Sequence, residues 1–139
     1  LRVALADGTI DAIATDHAPH SALEKDCEFS EASPGMMGLE LCFGLLSSLV
    51  GEGGLKLERL LDALSTRPAR IAGIDPPTLR QGAVAELVLV DPVGSWKPAR
   101  AQLHSKSHNT PFLERELKGK ILMTLSHGTI VFDALGGNR

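Results

Sequence analysis

The sequence predicts an α/β protein: a strand–loop–helix–helix unit over residues 1–75, followed by a β-rich unit over residues 76–139. Three observations carry this. The apolar stretch "TIDAIAT" (Thr9–Thr15) stops abruptly at the polar cluster "DHAPH", the pattern of a short buried strand that runs into a loop. Two stretches then repeat apolar residues at helical spacing, 38–50 and 57–64, as amphipathic helices require. Beyond the turn-rich connector "IDPPTLRQG" the apolar residues alternate instead, which marks strands.

Taken in order, Leu1–Ala6 reads as the tail of a helix with Gly8 near its C-cap. Thr9–Thr15 is the short strand. Residues 15–37 form a long loop holding Pro19, Pro34 and Gly35; loops of that length inside a compact domain are functional or disordered. Leu39, Cys42, Phe43, Leu46, Leu49 and Val50 place a helix over 38–50, and "GEGG" ends it. Leu57, Leu60, Leu61 and Leu64 form a second helix. "TRPARIAG" begins a third, with Thr66 as its N-cap, Pro68 in the first turn, where a missing N–H is harmless, and Gly73 at the exit. The β-rich unit offers three strand patterns: "AELVLVD", "RAQLHSKSH" and "KGKILMTLSHGTIVFD". The last folds on itself at His127-Gly128, a hairpin signal.

The 139 residues are 43% hydrophobic and 22% charged, enough for one domain with a real core and unlike a disordered chain. A net charge of −3 without any basic run argues against nucleic acid as the main partner. Aromatic residues are scarce, which argues against a stacking platform for bases. The longest apolar run, Leu39–Val50, is too short and too interrupted to span a membrane. Cys27 and Cys42, without a disulfide framework, suit a reducing, cytoplasmic setting. The chain starts within patterned sequence and is expected to be cut from a longer one.

The chemistry concentrates in Asp16, His17 and His20. An aspartate at the carboxyl end of a strand in a βα unit stands where barrel enzymes keep their functional groups. One of its oxygens can bind a metal and the other can take a proton from water. His20 can offer a cation or a hydrogen-bond donor to an anionic substrate. His17 reads as a neighbour that shapes the turn. Met36 and Met37 read as loop packing. His104, His108 and His127 read as surface or turn residues, and nothing near Cys27 activates it as a nucleophile.

The segments "IATDHAPH", "ASPGMMGLE", "TRPARIAGI", "QGAVAELVLVDP" and "SKSHNTPFLERELKGKI" occur in the order found in dihydroorotases of the amidohydrolase superfamily, and the chain resembles that family over nearly its whole length. The "DHAPH" motif separates the group from hydantoinases and allantoinases, which carry other residues after the aspartate. The resemblance implies an eight-stranded β/α barrel with a small β-sandwich. Residues 1–75 would be the last barrel units and 76–139 part of the sandwich. It implies a reversible, zinc-assisted cyclic amide hydrolysis that interconverts N-carbamoyl-L-aspartate and L-dihydroorotate in pyrimidine synthesis. Asp16 is then the metal-binding aspartate and general acid/base. His20 contacts the substrate carboxylate, and backbone groups near Pro34 and Gly35 close on the substrate.

Two departures follow. Glu114 stands where the family often has a small residue after "NTPF". The chain also has no His-x-His pair, and a complete barrel takes roughly 250 residues. One aspartate cannot hold a zinc that needs about three protein ligands. The chain is therefore expected to be the carboxyl-terminal part of a dihydroorotase, inactive and without catalytic zinc when isolated. Its expected partners are the remainder of the barrel, a second copy in a homo-oligomer, or aspartate transcarbamoylase. Two alternatives stand beside this: a non-catalytic remnant serving as an interaction module, and a fragment of a hydantoinase- or allantoinase-type amidohydrolase.

Overall fold

The computed structural model describes residues 1–136; the last three residues of the expected β-rich unit lie outside them. The chain opens with α1 (Arg2–Ala6), which buries Leu5. The next segment, Thr9–Thr15, bends at Thr9–Ile10 and belongs to no strand, and its residues are half-buried or exposed. This corrects the expectation of a buried strand. A strand exists through its ladder of cross-chain hydrogen bonds, and no described segment pairs with this one. Helical residues hold it instead. The Ile13 N–H donates to the Ala63 carbonyl at 3.0 Å, and the Arg59 guanidinium donates to the carbonyls of Ile10 and Asp11.

The long loop contains one short helix, α2 (Ala22–Lys25). The helix expected over 38–50 is confined to α3 (Cys42–Ser47). Its expected first turn is engaged elsewhere: the Gly38 and Leu39 amides donate to His17, and the Glu40 carboxylate accepts the amides of His104 and Ser105. Leu49 nevertheless finds a core, packing on the cluster of Leu5, Leu55 and Ala63. Leu39 stays exposed.

The two helices expected around residues 57–73 form one helical run: α4 (Leu57–Leu61), a π turn (Asp62–Thr66) and α5 (Arg67–Ile71). Thr66 has φ −63 and ψ −46 and its side chain caps nothing, so it is not an N-cap. Pro68 has no N–H to offer the carbonyl one turn back, which ordinarily breaks a helix. Here the wider π turn, in which the Arg67 N–H reaches the Asp62 carbonyl, carries the helix past the proline.

The β-rich unit is a three-stranded antiparallel sheet in the order β1 (Leu87–Trp96), β2 (Leu117–Ser126), β3 (Thr129–Asp133). The expected hairpin is present. His127 and Gly128 turn at φ 50 and 78, the left-handed pair that two-residue hairpin turns need. β1 runs beyond "AELVLVD" because the Asp91 carboxylate accepts the amides of Val93 at 3.1 Å and Gly94 at 2.9 Å. That bulge takes Pro92 out of the ladder. "RAQLHSKSH", expected as a strand, is a single 3₁₀ turn (Arg100–Gln102) and then irregular chain. Its amides are used across the fold, by Glu40, instead of in a ladder.

The main core joins both halves of the chain. Met37, Leu41 and Leu117 are buried together, with Leu45, Trp96, Leu103 and Phe112 against them. Met37, fully buried, is thus a core residue, while Met36 is exposed. α3 packs on β2, so the segment that follows the long loop is anchored to the sheet.

Glu114 adopts φ 58, a left-handed conformation in which side chains other than glycine are strained. This is a physical reason for a small residue after "NTPF". Glu114→Gly is expected to stabilise the chain by about 0.5–1 kcal/mol, read as a higher midpoint in urea at unchanged slope. A lower midpoint would refute the strain.

Candidate active site

The polar turn after Thr15 is built from two left-handed residues, Asp16 at φ 44 and His20 at φ 50. Aspartate and histidine tolerate this region better than most. Helical residues fix how the turn is entered: Arg67 ion-pairs with Asp11 at 2.9 Å and with Asp62 at 3.1 Å, reinforcing the Arg59 contacts to Ile10 and Asp11. The turn is closed from the other side by the loop before α3. The Ala18 N–H donates to the Met36 carbonyl at 3.0 Å. His17 Nδ1 accepts the amides of Gly38 at 3.2 Å and Leu39 at 3.0 Å. In this arrangement Nδ1 is the acceptor of both amides. His17 ties the two arms of the loop together, as a turn-shaping residue does.

The Asp16 residue is exposed, and among the described residues no side chain is ion-paired with it. The His20 side chain is 30% exposed, with Nδ1 3.7 Å from Glu24 Oε1. Gly35, at φ +127, lies so close to the turn that a Cβ there would sit 2.6 Å from the Ala18 carbonyl and 3.3 Å from His20 Cδ2. Only glycine fits. The structure therefore brings His20 and Gly35 into contact, with Pro34 beside them and exposed. Asp16 sits at the start of the same turn.

Next to His20 an open cleft of about 460 Å³ is lined by His20, Ser21 and Lys25 from the long loop and by Arg100, Lys106 and His108 from the β-rich half of the sequence. Its wall does not include Asp16. Its charge is predominantly positive, with Asp26 the one carboxylate in the lining.

Glu24 helps to fix this region. Its carboxylate accepts the Ser21 N–H at 2.7 Å, while the Ser21 hydroxyl accepts the Glu24 N–H at 3.3 Å, a reciprocal cap of α2. These Ser21 hydrogen bonds, with a smaller contribution from His20, hold the Glu24 carboxyl below its ordinary value of 4.5. A depressed folded-state value means that the cap is fully stabilising above the ordinary value and is lost as pH falls through the lower one. The Ser21 amide shift is therefore expected to titrate with a midpoint below the ordinary carboxylate value of 4.5. A transition centred at the ordinary carboxylate value would refute the cap.

Among the described residues no three His, Cys, Asp or Glu side chains come together as a metal site. A catalytic zinc takes about three protein ligands, so Asp16 fits as one carboxylate donor of such a set. Cys27 is exposed and Cys42 partly buried; burial pushes the Cys42 thiol up, away from nucleophilic use. No helix among the described residues is long and apolar enough to cross a membrane.

Three residues escaped the sequence reading. Lys25 and Asn109 both donate to the Gly35 carbonyl, and Glu40 binds the amides of His104 and Ser105. Glu40 and Asn109 lie inside quoted motifs, "ASPGMMGLE" and "SKSHNTPF". That was the available signal, but their partners are distant in sequence.

Comparison with known proteins gives a consistent result. The amidohydrolase family model matches residues 1–131. A dihydroorotase of Anaeromyxobacter dehalogenans is 49% identical over 132 residues, covering 95% of this chain and 30% of the relative. A dihydroorotase of Citrifermentans bemidjiense is 47% identical over 134 residues, covering 96% of this chain and 32% of the relative. The chain thus spans about a third of the length of these curated relatives. Among solved structures, a D-hydantoinase (dihydropyrimidinase) from Thermus sp. superposes with TM-score 0.83 at 27% identity, over 96% of this chain and 30% of that one. A dihydropyrimidinase from Brevibacillus agri superposes with TM-score 0.84 at 25% identity, again over 96% and 30%.

Proposed function

This chain belongs to the amidohydrolase family, and from that premise we propose that it is the carboxyl-terminal part of a dihydroorotase. The whole enzyme interconverts N-carbamoyl-L-aspartate and L-dihydroorotate in pyrimidine synthesis. Residues 1–75 belong to its β/α barrel and residues 76–139 to a β-sandwich. One observation carries the reading: the "DHAPH" turn presents an exposed Asp16 carboxylate at one end and, at the other, His20 packed against Gly35. The names of the dihydroorotase relatives support the substrate.

The residue roles follow from the chemistry of the groups. Asp16 would be one ligand of a zinc ion whose remaining ligands would come from the rest of the barrel. When bound, zinc supplies Lewis acidity and makes water a nucleophile near neutral pH. In ring opening, water adds to the ring amide carbonyl and the carbon–nitrogen bond breaks. Asp16 accepts the proton of that water and delivers it to the departing nitrogen; cyclisation runs the same transfers backwards. His20 donates to the substrate carboxylate, and the Pro34–Gly35 backbone lies alongside. The unpaired Thr9–Thr15 segment and the exposed Leu39 and Ile71 are consistent with the rest of the barrel as the partner of this chain.

A second reading, a hydantoinase-type enzyme, is favoured by the solved structures that superpose on the chain. The substrates separate the two, because dihydroorotate carries a ring carboxylate that dihydrouracil lacks. The full-length protein carrying this chain is expected to hydrolyse dihydroorotate about a hundredfold faster, in kcat/KM, than dihydrouracil, the gain available from pairing one carboxylate. Faster turnover of dihydrouracil would establish the second reading, and turnover of neither would refute both.

A further inference from the structure

The candidate substrate loop is glycine-centred, so its own side chains cannot explain how it is held. Two side chains from opposite halves of the sequence converge on one of its atoms. The Gly35 carbonyl accepts Lys25 Nζ at 2.7 Å and Asn109 Nδ2 at 3.1 Å. Lys25 also donates to the Ser33 carbonyl. The Asn109 backbone carbonyl accepts the Met37 N–H at 2.9 Å. Lys25 therefore spans positions 33 and 35, and Asn109 spans 35 and 37.

With two donors, both lone pairs of the Gly35 carbonyl are used, and the peptide plane that follows Gly35 is set. On the other face of Gly35, Ala18 and the His20 ring leave no room for a Cβ. The glycine is thus clamped between the His20 turn and a lysine–asparagine pair. Without the pair, a glycine linkage at φ +127 has more freedom than any other residue, and a ligand would have to order it on binding.

We propose that Lys25 and Asn109 are positioning residues for substrate recognition: by clamping the Gly35 carbonyl they hold the Pro34–Gly35 backbone against His20 in the geometry that receives the substrate's carboxylate end. The inference rests on the dihydroorotase reading and adds to it. It also gives the "SHNTPF" segment, which supplies Asn109 from the β-rich half, a part in the site. Asn109 Oδ1 is buried without a partner. Truncating Asn109 therefore removes an unsatisfied acceptor along with the donor, which limits the loss of stability.

The test uses the full-length protein that carries this chain, with dihydroorotate as substrate. Lys25→Met and Asn109→Ala are each expected to raise KM about tenfold with kcat changed less than about threefold, the signature of lost uniform binding. The double variant should be little worse than either single one, because both act through one carbonyl. KM values within twofold of the unaltered protein would overturn the proposal while leaving the dihydroorotase reading intact, as would a loss of activity that only follows a loss of folded protein. No turnover by the unaltered protein would overturn that reading and the proposal with it. Should a truncation not fold, Lys25→Arg and Asn109→Asp decide. Arginine keeps a donor and should keep KM, whereas aspartate turns an acceptor toward the Gly35 carbonyl and should raise it. Equal KM values in these two variants would overturn the proposal.

Discussion

Asp16→Asn in the full-length protein is expected to lower kcat for dihydroorotate by at least about a thousandfold, equivalent to about 4 kcal/mol of barrier, while the protein stays folded. The substitution keeps shape and one oxygen but removes the ability to accept a proton. General acid–base transfer alone is worth roughly a hundred- to ten-thousandfold, and a weaker metal ligand adds to the loss. Folding should survive for two reasons visible at the residue. Asp16 is exposed, with no ion-pair partner among the described residues, so no buried interaction is broken. Its φ of 44 lies in the left-handed region that asparagine also tolerates. Steady-state kinetics and a melting curve on the same preparation check both halves. A rate within about tenfold of the unaltered protein would show that another group moves the proton.

Gly119→Ala is expected to destabilise the chain by about 3 kcal/mol or more. Gly119 sits in β2 at φ +84, and an added Cβ would fall 2.7 Å from Ser47 Cβ and 3.1 Å from Phe43 Cε1. Part of the cost is the left-handed backbone, which a Cβ makes unfavourable by about 1–2 kcal/mol. The rest is overpacking, because α3 must move off the sheet to admit the methyl group. The same glycine accepts the Trp96 indole N–H through its carbonyl at 2.9 Å, so a shift of the β2 backbone also loosens Trp96, a member of the main core. Urea unfolding followed by Trp96 fluorescence should show the midpoint falling. A change below about 1 kcal/mol would mean that α3 and β2 separate at little cost.

Elements whose determinants are local were legible from the chain itself. The hairpin at His127-Gly128 is one, because two adjacent residues that tolerate left-handed backbone between alternating strands leave little choice. The first helix, the apolar helix that starts at Leu57 and the break at "GEGG" are others. The candidate turn was legible as chemistry: an aspartate and two histidines following an apolar stretch, in the "DHAPH" arrangement.

The misjudged elements share a physical cause, which is that their hydrogen-bond partners are remote. Helical periodicity over 38–50 found a helix but not its buried face: Leu41, Gly44 and Ser47 are buried while Leu39 and Val50 are exposed, because the amides of the expected first turn went to His17 and the Glu40 carboxylate to the backbone near residue 104. "RAQLHSKSH" had strand-like residues and no strand to pair with. Thr9–Thr15 had the apolar pattern of a barrel strand and was held by Arg59 and Arg67 instead. Pro68 looked like a helix start because a break in the helix was the local expectation; a π turn over Asp62–Thr66 satisfied the backbone another way.

By itself, then, the sequence determined where the hairpin and the helix from Leu57 fall and which few residues are candidates for chemistry, since periodicity, backbone tolerance and side-chain type are properties of neighbouring residues. Only the tertiary structure decided which amides pair with which acceptors. It alone brought Lys25 and Asn109 onto the Gly35 carbonyl and closed the loop over His20. Such pairings depend on groups tens of residues apart meeting at about 3 Å, and no local pattern encodes that meeting.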